Sequence, residues 1–364
     1  MTWQALWSAD SQIRRMDSTQ PAARLDWGTL LLEFDLWQFG QARAARHQPL
    51  LCVSPPHDPT RTFTIDPGPD GRLHLLRRQA RDVSHLSIGL GREQISGILR
   101  LTYHWDTRRS RSLLTAENLT KGTIRQQEDH HALPMLADEV TGIFASANVM
   151  RHAAIDWIGL ADHWQTIGPL PGYAPGTDIL TPDGLRRIET LAAGDLVTTA
   201  DHGPLPLLWQ GRVALPAMGQ LRPVRLIAPY FGLKRDILVQ PGQRFALSGP
   251  DVEYHFNEEA VLVEARQLVN DQTAIWGPNA TVLPSHGLLF DRHALVQANG
   301  IWSESLYLGR IGRNPDLART TAPAALGKIL KLPEHGALVR RELLDYEAQI
   351  LNLSRLRSRA PLAA

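Results

Sequence analysis

The chain reads as all-β: two strand-rich modules in series, closed by one amphipathic helix. Three observations predict this. Prolines (25) and glycines (28) are spread through the 364 residues and separate short apolar runs, which suits strands and turns rather than long helices. Residues 97–106 alternate, with Ile98, Arg100, Thr102 and His104 on one side and Leu99, Leu101, Tyr103 and Trp105 on the other. That period of two marks a half-buried strand with one apolar face. Only after Pro333 does the period change: Val339, Leu343, Tyr346, Ile350 and Leu353 recur at three- and four-residue spacing, with Arg340, Arg341, Glu342, Asp345 and Glu347 opposite. This predicts a helix whose apolar stripe packs on the body of the protein or receives a partner.

Taken in order, residues 29–37 are a strand candidate, and residues 63–76 give two strands around a Pro/Gly turn. Residues 97–106 follow, and residues 154–162 supply the last strand of the first module. So many short strands within roughly 160 residues predict a β-sandwich or jelly roll over residues 1–168. The Pro/Gly cluster at 168–172 marks a boundary. A second all-β module spans 169–311, and residues 312–364 form a linker and the helix.

Charge and composition exclude several functions. Lys plus Arg (38) against Asp plus Glu (37) leaves a net charge of +1, so no strong field draws the chain to nucleic acid or an anionic membrane. The Arg108, Arg109, Arg111 cluster reads as a solvated loop. No apolar run approaches the ~20 residues of a membrane span, and residues 1–17 lack the apolar stretch of a secretory signal. Cys52, the one cysteine, excludes an intrachain disulfide and sits in an apolar run as a buried small hydrophobe. A reducing, cytoplasmic setting is the default, with unconventional export left open.

Residues 172–184 read Gly-Tyr-Ala-Pro-Gly-Thr-Asp-Ile-Leu-Thr-Pro-Asp-Gly. This string resembles the opening of the Hint domain of the Hedgehog/intein superfamily, in its bacterial Hint-type-2 branch, where the usual form is Cys-Phe-x-x-Gly-Thr-x-Ile-x-Thr-Pro-x-Gly. Tyr173, Pro175, Gly176, Thr177, Ile179, Thr181, Pro182 and Gly184 fit; the cysteine slot holds Gly172. Further elements follow in family order: residues 182–197; Trp209, Gly211 and Arg212; residues 221–228; and residues 285–305, which resemble a His-x-x-Phe-Asp-Arg-His…Ala-Asn-Gly…Ser-Glu-Ser block. More weakly, residues 97–106 and 154–162 resemble strands of concanavalin/laminin-G sandwiches.

The first resemblance implies a chemistry and its loss. In such domains the first thiol or hydroxyl attacks the preceding carbonyl, giving an ester or thioester that a second nucleophile resolves. A histidine from a Thr-x-x-His block supplies acid/base help worth ~10²–10⁴-fold. Here the hydroxyl slot of that block is Gln240 and the histidine slot is Gln243, 243 − 172 = 71 positions after the nucleophile slot. No Asp or Glu occurs from Gly203 to Arg235 to serve as a helper carboxylate. Glycine offers no nucleophile and glutamine cannot exchange a proton near neutral pH. The expectation is a Hint-type protein that has lost autoprocessing and acts as a structural or binding scaffold.

Two alternatives stay open. One is a variant domain that cleaves near Pro171/Gly172 through substitute groups, for which Thr177, Thr198 and His202 are candidates; the competing reading makes these, with Thr181, turn and backbone-bonding residues. The other is a lectin-like protein that binds glycan through the sandwich, with Trp27, Trp37, Tyr103 and Trp105 as a stacking face; at alternating strand positions these aromatics read first as core. No cofactor and no metal are expected. His286 and His293, with Asp291 between them, lack a clear third ligand, Asp129, His130 and His131 read as a loop, and no dense Asp/Asn cluster suits calcium. The expected partners are another protein or a glycan.

Overall fold

The computed structural model describes residues 2–10, 15–16, 23–45, 48–55, 58–68, 70–90, 96–144, 149–279, 281–328 and 331–357. The chain forms two compact units, Met1–Gly168 and Pro169–Ala364, so the Pro/Gly cluster at 168–172 straddles the division.

The first unit is a sandwich of two large sheets, with a further two-stranded pair, Arg24–Leu25 and Met135–Leu136, among the described residues. A seven-stranded sheet runs in the order Thr123–Asp129, Arg111–Asn118, Ile98–Asp106, Trp27–Asp35, Ile155–Ala161, Trp3–Ser8 and Arg15–Met16. A five-stranded sheet runs Met150–Arg151, Leu51–Val53, Arg61–Pro67, Arg72–Gln79 and Asp82–Gly89. Every pairing in both is antiparallel. Leu30, Leu32, Phe34, Leu99, Leu101, Tyr103 and Trp105 of the larger sheet share one core with Phe63, Ile65, Leu73, Leu75, Leu86 and Ile88 of the smaller. Alternation thus places the expected side chains inward.

Four expectations need correction. The polar side of residues 98–106 is not half-exposed: Arg100, Thr102 and His104 are buried as well, beneath the segment that follows the last strand. Trp37 lies in a helix, Leu36–Ala45, because the Asp35 carboxylate accepts from the Trp37 and Gln38 N–H groups and starts it. Of the four aromatics read first as core, Tyr103 and Trp105 belong to it while Trp27 and Trp37 are exposed, so the four share neither one core nor one stacking face. Cys52 is half-buried, with the Thr64 hydroxyl 3.6 Å from its sulfur.

Among the described residues the second unit contains three sheets. The largest joins Gly184–Arg187, Asp178–Thr181, Leu295–Ala298, Ile301–Glu304, Arg244–Ser248, Ala260–Glu264 and Arg341–Glu342, with Leu196–Thr199 and Gly203–Pro206 attached. Trp209–Pro216 pairs with Val282–Leu289, and Val224–Leu226 lies between Ile237–Val239 and Ala274–Trp276.

The C-terminal segment is part of this unit. Arg341–Glu342 pairs in parallel with Ala260–Glu264 before a helix runs from Asp345 to Arg357. The helix does not bury the stripe its sequence suggests. Ala348 and Leu351 enter the core, whereas Tyr346, Ile350 and Leu353 are exposed. Polar anchors set this rotation: Asn352 donates to the Gln267 carbonyl, and Arg355 pairs with Asp251 and donates to the Ser248 carbonyl. Ala348 is small enough to let that side approach closely.

Candidate functional site

Residues 172–174 are held between two strands, which fixes the backbone of the site. Tyr173 forms antiparallel bridges to Val239 on one side and His286 on the other. The Gly172 carbonyl accepts from Gln240 N–H at 2.7 Å, and the Tyr173 N–H donates to the His286 carbonyl at 2.9 Å. The Tyr173 side chain points into the core, where its hydroxyl donates to the Glu304 carbonyl at 2.7 Å and lies 2.9 Å from Ser303 Oγ. Burial pushes that phenol well above its ordinary pKa.

The two slots assigned from sequence face one another. A Cβ built on Gly172 would lie 1.7 Å from Gln243 Oε1, 2.7 Å from its Cδ and 3.2 Å from its Cβ. Gln243 is fixed there, because its Nε2 donates to Ser303 Oγ and to the Glu304 carbonyl, each at 2.9 Å. Position 172 therefore carries no side chain, and the space where one would stand is filled by Gln243. Gln240 uses its backbone on Gly172, while its side-chain Oε1 is buried without a hydrogen-bond partner among the described residues.

The remaining candidates lie elsewhere. Thr177 donates to the Ala174 carbonyl at 2.8 Å, and Thr181 to the Gly184 carbonyl at 2.7 Å. Thr198 is half-buried in the strand Leu196–Thr199, and His202 is exposed in the turn that follows it. The fold does not bring these side chains to Pro171, Gly172 or Gln243.

Sequence reasoning missed two positions. Ser285 Oγ donates to the Pro171 carbonyl at 2.5 Å, at the bond where processing would begin. That hydrogen bond aims the serine proton at the carbonyl oxygen, the geometry of a polarising donor rather than of an attacking nucleophile. Gly287, on the same face of its strand, points at Pro171 too: a Cβ there would meet Pro171 Cα and Cβ at 3.2 Å. Counting back from Phe290, the His-x-x-Phe spacing falls on Gly287, one residue beyond His286. One residue on a strand reverses the face. His286 accordingly turns away, its Nδ1 3.0 Å from Gln210 Nε2, and burial lowers its pKa despite Glu189 nearby. The alternation of Ser285 and Gly287 is legible in the sequence, but reading the block as one string hides it.

A buried polar chain backs the site without reaching the amide. Arg244 donates to Glu304 at 2.9 Å and pairs with Glu342 at 2.9 Å. His293 accepts Val339 N–H on Nδ1, so its Nε2 proton faces Glu304 at 3.2 Å. His335 accepts Leu308 N–H on Nδ1, and burial lowers its pKa. His286 and His293 serve separate bonds, and no group of three His, Cys, Asp or Glu side chains suited to a metal occurs among the described residues.

Residues 171–310 match a family model described as "Hint domain". No curated protein matches the chain. Among solved structures, an intein-like domain from Clostridium thermocellum is 15% identical, covering 37% of this chain and 99% of its own at a TM-score of 0.29. The MchDnaB-1 intein is 13% identical, covering 36% and 98% at a TM-score of 0.26. The Ruminococcus gnavus IT-sialidase CBM40 bound to alpha2,6 sialyllactose is 13% identical, covering 38% and 78% at a TM-score of 0.25.

Proposed function

We propose that the Hint-type domain at residues 171–310 no longer breaks the backbone at Pro171–Gly172, and that its fold serves as a non-catalytic scaffold. One observation carries this reading: Gln243 Oε1 occupies the position of a side chain at 172. An acyl shift needs an oxygen or sulfur on residue 172 next to a proton-transferring group. Here both slots are filled by one neutral amide, itself bonded to Ser303 and the Glu304 carbonyl.

A second reading, slow cleavage at the same bond, draws on Ser285. Its hydrogen bond withdraws electron density from the Pro171 carbonyl and would favour attack by an outside nucleophile. Intact mass separates the two. Full-length protein incubated with hydroxylamine or dithiothreitol stays at 40.5 kDa under the first reading. Fragments ending at Pro171 and beginning at Gly172 establish the second.

A further inference from the structure

The strand Ile98–Asp106 carries Arg100, Thr102 and His104 on the face of the seven-stranded sheet opposite the shared core. Across the ladders these residues align with Glu33, Leu31 and Thr29 on one side and with Glu117, Thr115 and Leu113 on the other. Residues 162–168 cover the face as an extended strap, with His163, Gln165 and Ile167 buried and the residues between them half-buried.

The strap joins no strand ladder and is held through its main chain and through the Trp164 indole, whose Nε1 donates to the Trp105 carbonyl at 3.1 Å. Thr29 Oγ1 donates to the His163 carbonyl at 2.6 Å and accepts from Gln165 N–H at 3.0 Å. His104 Nε2 donates to the Gln165 carbonyl at 2.8 Å, and Glu117 accepts from Gly168 N–H at 2.8 Å. Trp164 stacks on His104 with ring centroids 4.9 Å apart, and the Arg111 guanidinium lies 5.2 Å from its indole.

The match is incomplete. Thr102 Oγ1, His104 Nδ1 and Glu117 Oε2 of the floor, and Gln165 Nε2 and Thr166 Oγ1 of the strap, are buried without a hydrogen-bond partner among the described residues. Buried polar atoms are ordinarily paired. Three of them on the floor mark hydrogen-bonding capacity that its occupant does not use, and two on the strap show that the occupant's own polar side chains are not matched to the floor.

We propose that this face is a binding groove for an extended polypeptide segment, read mainly through its main chain, and that residues 162–168 are its resident, displaceable occupant. The floor side chains bond backbone N–H and C=O groups, so a different sequence can make the same bonds. It needs an aromatic side chain at the Trp164 position, an aliphatic one at the Ile167 position and glycine at the Gly168 position, where φ is +79°. A tethered strap holds the groove at an effective concentration of roughly millimolar order, so a competitor gains when the strap is weakened.

The test titrates a fluorescein-labelled peptide with the sequence of residues 162–168 into the full-length parent and into a Gln165→Gly/Ile167→Ala variant. Saturable binding to the variant, on the order of 10²-fold tighter than to the parent, is expected, with loss of that binding when Thr29→Val is added. Because the variant can fail to fold, hydrogen exchange of the Gln165 and Gly168 amides is also followed in the parent. Peptide at millimolar concentration should speed that exchange several-fold. Absence of binding to a folded variant, or exchange that the peptide leaves unchanged, overturns the proposal.

Discussion

Gln243 Oε1 lies 1.7 Å from the point where a Cβ on Gly172 would stand, and Gln243 Cβ is only 3.2 Å from it. Rotating the amide relieves the first contact but not the second, so the two residues constrain each other. Gly172→Ala alone should destabilise the second unit by about 1–3 kcal/mol. Gln243→Ala should cost its own bonds to Ser303 and Glu304. The double variant should be more stable than the sum of the singles implies, by about 0.5–3 kcal/mol of coupling. Urea denaturation of the four proteins measures this, and additive losses would contradict the contact.

Gly172→Cys with Gln243→His returns both chemical groups to positions that already face one another. Partial cleavage directly after Pro171 on incubation with dithiothreitol is the expected outcome, read by intact mass. A folded double variant that stays whole would count against the assignment of Gly172 and Gln243 to the nucleophile and histidine slots.

Ser285→Ala removes the hydroxyl that binds the Pro171 carbonyl and leaves a buried acceptor unpaired. The loss should be about 1–3 kcal/mol in chemical denaturation, with the intact mass unchanged. Ser285→Thr, which keeps the donor, should recover part of it.

His104 in the first unit titrates near about 4 instead of 6.5, chiefly because burial penalises its charged form. Its folded pKa is the lower one, so the unfolded chain takes up the proton first. The stability it supports is complete above about 6.5 and falls as pH drops from about 6.5 toward about 4. Asp156 works in the opposite sense: burial, then Glu33 and Asp10, raise it from 3.8 to about 6, so its contribution is present below 3.8 and lost as pH rises through about 6. His104→Gln should flatten the acid loss, and Asp156→Asn should stabilise at neutral pH by about 1 kcal/mol after allowance for solvent screening. Tryptophan fluorescence reports both, since seven of the ten tryptophans lie in the first unit.

The C-terminal helix offers a test of rotation. Leu351→Ala should cost about 2–5 kcal/mol, whereas Ile350→Ser and Tyr346→Ser should stay within about 0.5 kcal/mol. Thermal denaturation distinguishes this from the stripe that spacing alone suggests, under which Ile350→Ser would be the damaging change.

Much of the fold was legible because strands write themselves locally. The alternation from Ile98 to Trp105 sorts core from polar side chains correctly, and the Gly/Thr/Pro string after Gly172 lies in the segment, residues 171–310, that matches the Hint domain model. What could not be read is what covers a polar face. Thr102 and His104 look solvent-facing by period, and only the return of residues 162–168 over the sheet buries them.

Sequence by itself determined the strand-forming segments and the chemical identities at 172, 240 and 243, since each depends on neighbours along the chain or on side-chain type. Tertiary structure decided the rest: that Gln243 fills the space beside Gly172, that Ser285 rather than His286 meets Pro171, and that Ala348 and Leu351 anchor the last helix. Those outcomes depend on strand register and helix rotation, where one residue reverses a face and distant polar anchors such as Arg355 choose the angle.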